Sequence, residues 1–161
     1  MSFDDFRENL LKAAINLEAI RPRDYAVGGC HLELKARRDQ VQAIAGLARE
    51  ADLYLETITA LDFTNGLQVI YFFNSFSAPA RVQVRVQLAR DESVPTISAV
   101  YDAALWYERE IFDLFGIRFD NHPDLRRLLL PEDADFHPLR KDFGKVHAFR
   151  ETKEIYGEPT T

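Results

Sequence analysis

Residues 53–88 read LYLETITALDFTNGLQVIYFFNSFSAPARVQVRVQL. Apolar runs rich in β-branched and aromatic residues lie at 53–61, 67–73 and 81–88. Such runs, bounded by turn residues, predict three strands. Asn65-Gly66 is the strongest turn signal in the chain and joins the first two, because a tight hairpin turn needs positive φ at its centre. In the third run Val82, Val84, Val86 and Leu88 point one way, and Arg81, Gln83, Arg85 and Gln87 point the other. That polar row reads first as a solvated sheet face. It also suits acidic residues of a docking partner.

Upstream, residues 39–51 predict an amphipathic helix, with Val41, Ile44, Ala45 and Ala48 on one stripe. Before it, 25–27 and 30–34 flank Gly28-Gly29 and read as a tight hairpin, with Cys30, Leu32 and Leu34 alternating against His31, Glu33 and Lys35. His31 reads as a solvated or cross-strand residue rather than a ligand. At the N-terminus Phe3, Phe6, Leu10, Ala14 and Leu17 step by three and four, so a helix is expected over 2–20, ended by Arg21-Pro22. The order helix, hairpin, helix, three strands, helix predicts an α+β fold. Its two layers are helices packed on a mostly antiparallel sheet of about five strands.

Downstream, residues 101–130 hold a dense aromatic helix, a glycine stop and a basic, proline-marked exit. The helix is expected over 103–115, with Asp102 as N-cap and Gly116 as the left-handed residue past its end. At about 100° per residue, Glu108 falls in the middle of the apolar arc. Arg109, Glu110 and Asp113 share the opposite arc with Trp106, and Arg109 and Asp113 stand four apart, as a surface ion pair would. A carboxylate on a buried face needs a partner. Its first reading is a structural ion pair with an arginine, Arg85 being one candidate, and its second is a catalytic carboxylate. Trp106 is either a stray exposed aromatic or an interface anchor, since tryptophan is enriched at binding hot spots.

Past Gly116, Pro123, Pro131, Pro138 and Pro159 break up the chain, and hydrophobic residues recur without a sustained period. The expected organisation is a core domain over 1–116 and an extended C-terminal arm over 117–161 that lies across a partner subunit. Plain terminal disorder is the other reading, and the steady supply of phenylalanine and leucine weighs against it.

The 161 residues carry a net charge of −6 and are 47% hydrophobic. The charge argues against a nucleic-acid partner, and the apolar content is ample for one core. One cysteine cannot form an internal disulfide or, alone, a cluster site. No apolar run is long enough to span a membrane. With acidic residues near Met1, this favours a soluble cytoplasmic protein, any membrane connection coming through partners. Phosphate-cradling and nucleophile-elbow motifs are missing. The remaining acid/base option pairs Glu108 with His122.

The block Glu108-Arg109-Glu110-Ile111-Phe112-Asp113-Leu114-Phe115-Gly116, followed by His122-Pro123-Asp124-Leu125-Arg126-Arg127-Leu128-Leu129, closely resembles the signature of the C, or 30 kDa, subunit family of NADH:quinone oxidoreductase, respiratory complex I. Residues 94–98 and 103–106 look like that family's lead-in, and His137-Pro138-Leu139-Arg140-Lys141-Asp142-Phe143 looks like its arm motif. The sequence departs from the family at 134–136, where a tryptophan is usual, and at Gly144, where a proline is common. The resemblance implies a cofactor-free accessory subunit of the complex's hydrophilic arm, with FMN and iron–sulfur clusters in its neighbours. It implies as partners the large quinone-site subunit and the iron–sulfur subunits. Related modules occur in ferredoxin-, F420- and hydrogenase-linked complexes. The residues expected at the interface are Trp106, Glu108, Arg109, Glu110, Asp113, His122, Pro123, Arg126, Arg127, His137, Pro138, Arg140, Lys141 and Asp142, with none expected to be catalytic, cofactor-binding or metal-ligating.

Overall fold

Gly66, at φ 140°, follows Asn65 in the turn and lies so close to a neighbouring strand that a Cβ there would meet the Leu88 carbonyl oxygen at 2.4 Å. This turn joins two long strands, Tyr54–Phe63 and Gly66–Asn74. The computed structural model describes residues 3–12 and 17–143. In chain order it contains α1 (Phe3–Lys12), β1 (Ala19–Pro22), α2 (Tyr25–Gly28), β2 (Leu32–Ala36), a 3-10 turn (Arg38–Gln40) and α3 (Val41–Glu50). β3 (Tyr54–Phe63), β4 (Gly66–Asn74), β5 (Val82–Leu88), β6 (Val94–Pro95), α4 (Ala104–Phe115) and β7 (Phe119–Asp120) follow.

The main sheet has five strands in the order β1-β2-β5-β4-β3. β2 and β5 run parallel, and the other pairs are antiparallel. Register places Leu34, Val84, Tyr71 and Ile58 in one cross-strand row, and Leu32, Val82 and Phe73 in another. These side chains are all buried. Phe6 and Leu10 of α1, with Val41, Ile44, Ala45 and Ala48 of α3, join them in one core. Ala104, Ile111 and Phe115 of α4 complete it. The fold is thus α+β, with helices on one face of a mostly antiparallel sheet. A β-bulge between Leu55 and Thr57 re-aims Glu56, whose carboxylate takes Arg81 at 2.6 Å and whose carbonyl accepts the Tyr107 hydroxyl at 3.0 Å.

Several local expectations are corrected. The described N-terminal helix is Phe3–Lys12, and 19–22, expected as helix to residue 20, form an edge strand on β2 instead. The outer hydrogen-bonding row of β2 would otherwise lie open, and Pro22 at the strand's end costs no ladder bond. Residues 25–28 form a short helix, not a strand. The Asp24 side chain accepts from the Ala26 N–H, and Gly29 at φ 65° is its left-handed cap. The two glycines therefore end a helix rather than turn a hairpin. At α4 the N-cap is Ala103, not Asp102, and its preceding turn is closed by carbonyls, with Ala104 N–H donating to Tyr101 and Leu105 N–H to Asp102. The polar row of β5 is only partly solvated, since Gln83 is buried and Arg85 lies 3.6 Å from the buried Glu33. Expected helix residue Ala14 and the part of the expected arm at 144–161 lie outside the described residues.

Candidate interface on the signature helix

α4 is the frame of the candidate site. Gly116 stops it at φ 73°, in the left-handed region that glycine enters without strain. The chain then pairs β7 with β6 in a small parallel ladder and turns back along α4 as an irregular ribbon over 121–143. The ribbon lacks regular secondary structure, so its backbone polar groups need other partners. Side chains of α4 supply them.

Asp113 is completely buried. Its Oδ2 accepts the N–H groups of three successive residues, Leu128, Leu129 and Leu130, at 3.1, 2.7 and 3.0 Å. Its Oδ1 takes Arg127 at 3.0 Å. Burial pushes this carboxyl up, and the N–H groups of Leu130, Leu129 and Leu128 together with Arg127 more than offset it, leaving the carboxyl below its usual range. Arg127 also donates to the Asp113 carbonyl, to the Phe136 carbonyl at 3.2 Å and to the Ala134 carbonyl. Arg109 donates to the carbonyls of Arg126 and Arg127 at 3.3 and 2.9 Å. Arg109 and Asp113 therefore do not form the surface pair their spacing suggested. Both are buried, and each holds the ribbon separately.

Further along, a His137 ring nitrogen lies 2.9 Å from the Asp113 carbonyl, and the Leu139 N–H donates to Leu114 at 3.1 Å. The His137 ring packs so close to Gly116 that a Cβ there would stand 2.6 Å from it. Burial lowers the His137 pKa. At the far end Lys141 donates its backbone N–H to Asp62 at 2.7 Å, beside the Arg90–Asp62 ion pair at 2.9 Å. Arg140 reaches the Arg90 carbonyl at 3.3 Å.

Other residues of the expected set, and two leucines outside it, are exposed or half-buried. Trp106 is 61% exposed, with the Arg109 guanidinium 5.3 Å from its ring centre. Leu129 and Leu139 are 64% and 52% exposed. Pro123, Arg126, Lys141 and Asp142 are exposed, while Glu110 and Pro138 are half-buried. Arg126 pairs with Asp124 at 2.9 Å.

Glu108 corrects a central expectation. It is completely buried, yet its partners are not arginines. Thr96 donates its hydroxyl to Oε2 at 2.5 Å, and the Ile97 N–H donates to Oε1 at 2.9 Å. The residues before α4 reach over the helix and supply these donors, while Arg85 is turned to Glu33 on the other face of the sheet. His122 Nε2 lies 3.9 Å from Oε2, and neither side chain is exposed. Burial pushes the Glu108 carboxyl up to about 7, against the lowering effect of Thr96 and Ile97. Sequence reasoning missed the part played by Thr96. A hydroxyl in the chain leading up to a helix carries no spacing signal for a contact to that helix's middle.

Residues 34–148 match the family described as respiratory-chain NADH dehydrogenase, 30 Kd subunit. The chain belongs to this family. Its similarity to the NADH-quinone oxidoreductase C subunit of Phenylobacterium zucineum (strain HLK1) is 51% identity over 96 residues, covering 56% of this chain and 46% of that protein. It is 41% identical over 110 residues to the mitochondrial NADH-ubiquinone oxidoreductase 30.4 kDa subunit of Neurospora crassa, covering 63% of this chain and 39% of that protein. The chain thus spans less than half the length of these 30 kDa family relatives. A chain in the structure of the membrane-bound sulfane sulfur reductase, an archaeal respiratory membrane complex, shares the fold with a TM-score of 0.76 at 23% identity. That alignment covers 95% of this chain and 90% of the other.

Proposed function

We propose that this 30 kDa family chain is an accessory subunit of the hydrophilic arm of a proton-pumping NADH:quinone oxidoreductase. It carries no cofactor of its own. FMN and iron–sulfur clusters in neighbouring subunits move the electrons from NADH to quinone. It docks on the large quinone-site subunit and on iron–sulfur subunits, at the cytoplasmic side of the membrane, with the outer side of the C-terminal arm, whose residues 121–143 fold back along α4, against a partner. Among the described residues no helix is long and apolar enough to cross a membrane, which is consistent with peripheral attachment.

The observation that carries this reading is a backbone hydrogen-bonded to α4 that presents exposed apolar side chains. Asp113, Arg109 and Arg127 pin the ribbon to α4, while Trp106, Leu129 and Leu139 stay in solvent. A surface ordered before binding loses little conformational entropy on docking, and tryptophan beside arginine is a frequent hot-spot composition. The acid/base reading of Glu108 with His122 has less support, because neither side chain has surface that a substrate could touch.

Affinity purification of the tagged chain at native expression, followed by mass spectrometry and visible spectroscopy, tests the proposal. Redox subunits with flavin and iron absorbance are the expected companions. A single colourless partner would refute the reading. Ferredoxin- or hydrogenase-type input subunits in place of the NADH-oxidising ones would move the chain to a related complex.

A further inference from the structure

The Glu108 carboxylate lies in the interior with no lysine or arginine paired to it among the described residues. Two groups face it that could carry charge. From β4 comes Tyr71, whose hydroxyl is buried without a hydrogen-bond partner and whose own pKa is raised, by burial first and by Glu108 second. From the turn after β7 comes His122. Its Nδ1 accepts the Asp124 N–H at 3.1 Å, and its Nε2 lies 3.1 Å from the Leu105 carbonyl. Both ring nitrogens are thus engaged by backbone groups, and Nε2 stays 3.9 Å from Oε2. On α4 itself, Arg109 is spent on the ribbon carbonyls and Tyr107 on the Glu56 carbonyl. A buried carboxylate so placed favours its neutral form.

The hydroxyl beside it has a second feature. Thr96 Oγ1 lies 2.5 Å from Glu108 Oε2 and 2.9 Å from Ser98 Oγ. A threonine hydroxyl has one hydrogen, so it cannot donate to both at once. Ser98 is half-buried and stands at the outer end of this row. Both orientations of the row are chemically complete. With Glu108 ionised, Ser98 donates to Thr96 and Thr96 to Oε2. With Glu108 protonated, Oε2–H donates to Thr96 and Thr96 donates to Ser98. The Ile97 N–H donates to Oε1 in either state.

We propose that Glu108 is a proton-binding site inside the domain, connected to solvent by the hydroxyl chain Thr96–Ser98. Uptake begins when a solvent hydronium gives a proton to Ser98 Oγ. Ser98 passes its original hydrogen to Thr96 Oγ1, Thr96 passes its own to Glu108 Oε2, and a water molecule is left outside. Release runs the same steps backwards. The net change is one O–H bond formed at Oε2 and one broken at hydronium, with no redox partner required. This site does not depend on the docking proposed above and is tested without any partner.

The test uses the full chain labelled with carboxyl-¹³C glutamate. One glutamate resonance is expected to titrate near neutrality in NMR and to vanish in Glu108→Gln. If every glutamate titrates in the ordinary range, or if the neutral one survives that substitution, the site is overturned. Wild type alone decides the first point if the variant misfolds. The relay is read by mixing protonated chain into D₂O and following the carboxylic-acid carbonyl band by infrared spectroscopy. Ser98→Ala is expected to slow deuteration about tenfold or more while leaving the titration midpoint in place. Thr96→Val is expected to slow it and to raise the midpoint, since the ionised form loses a donor, and Thr96→Ser is expected to restore both. Exchange as fast as wild type in Ser98→Ala and in Thr96→Val would overturn the relay.

Discussion

Glu108 and Asp113 sit five residues apart on one helix, both fully buried, and their environments drive them in opposite directions. Glu108 meets one hydroxyl and one N–H, and desolvation wins. Asp113 meets three N–H groups and a guanidinium, and hydrogen bonding wins. The two therefore give opposite pH dependences. Folding raises Glu108 from 4.5 to about 7, so the folded state keeps a proton that the unfolded chain releases between those values. Stability from this group is complete below pH 4.5 and is lost as pH rises through 7, a change on the order of 3 kcal/mol. His137, with a lowered pKa, contributes the opposite slope below its ordinary value of 6.5. Urea denaturation at pH 5 and pH 8 should therefore show the Glu108 contribution as the difference between wild type and Glu108→Gln, with the variant less sensitive to the rise in pH. Identical pH profiles would contradict it. Asp113, lowered from 3.8, contributes stability above that value and loses it as pH falls further. Asp113→Ala strands Arg127 and three N–H groups, and about 3–5 kcal/mol of destabilisation is expected in the same assay.

At the level of elements, one helix end determines where the ribbon begins. Gly116 adopts φ 73° and lies against the His137 ring. Gly116→Ala combines a strained backbone with a clash that only movement of His137 relieves. The expected cost is about 1–3 kcal/mol. Because His137 and Leu139 share that contact region, amide exchange at Leu139 should accelerate in the variant more than exchange in β4. Uniform acceleration across both would mean that the glycine acts on global stability and not on ribbon docking. β1 shows the converse dependence. Its first two residues, Ala19 and Ile20, were expected at the end of a helix but pair with β2, because an unpaired strand edge outweighs a weak local preference.

For the whole molecule, the sheet and its helical layer bury one face of α4, and α4 in turn holds the ribbon. Exposed apolar side chains then stand on ordered backbone. Trp106→Ala removes no core contact, so its stability should stay within about 0.5 kcal/mol of wild type. The same substitution, or Leu129→Asp, is expected to deplete redox subunits from the co-purified material. Loss of fold in either variant by circular dichroism, or full retention of partners in both, would contradict the interface assignment.

Alternation and turn chemistry were enough to read β3, β4, β5 and the Asn65-Gly66 hairpin, and the 3.6-residue period sufficed for α3 and α4. These signals are local, so the sequence alone carries them. The outward position of Trp106 and the burial of Glu108 followed from the same helical geometry. What completes each buried charge was not legible there. Thr96 reaches Glu108 across 12 positions and Arg127 reaches Asp113 across 14, through a chain path that no period encodes. Arg109 and Asp113 looked solvated because a helical wheel shows only the helix, and the ribbon that covers them comes from further along the chain. Local chemistry thus determined β3, β4, β5, α3, α4 and the family signature. Which partner satisfies each desolvated charge was decided by tertiary structure, because that choice depends on which distant backbone groups are brought within hydrogen-bond reach.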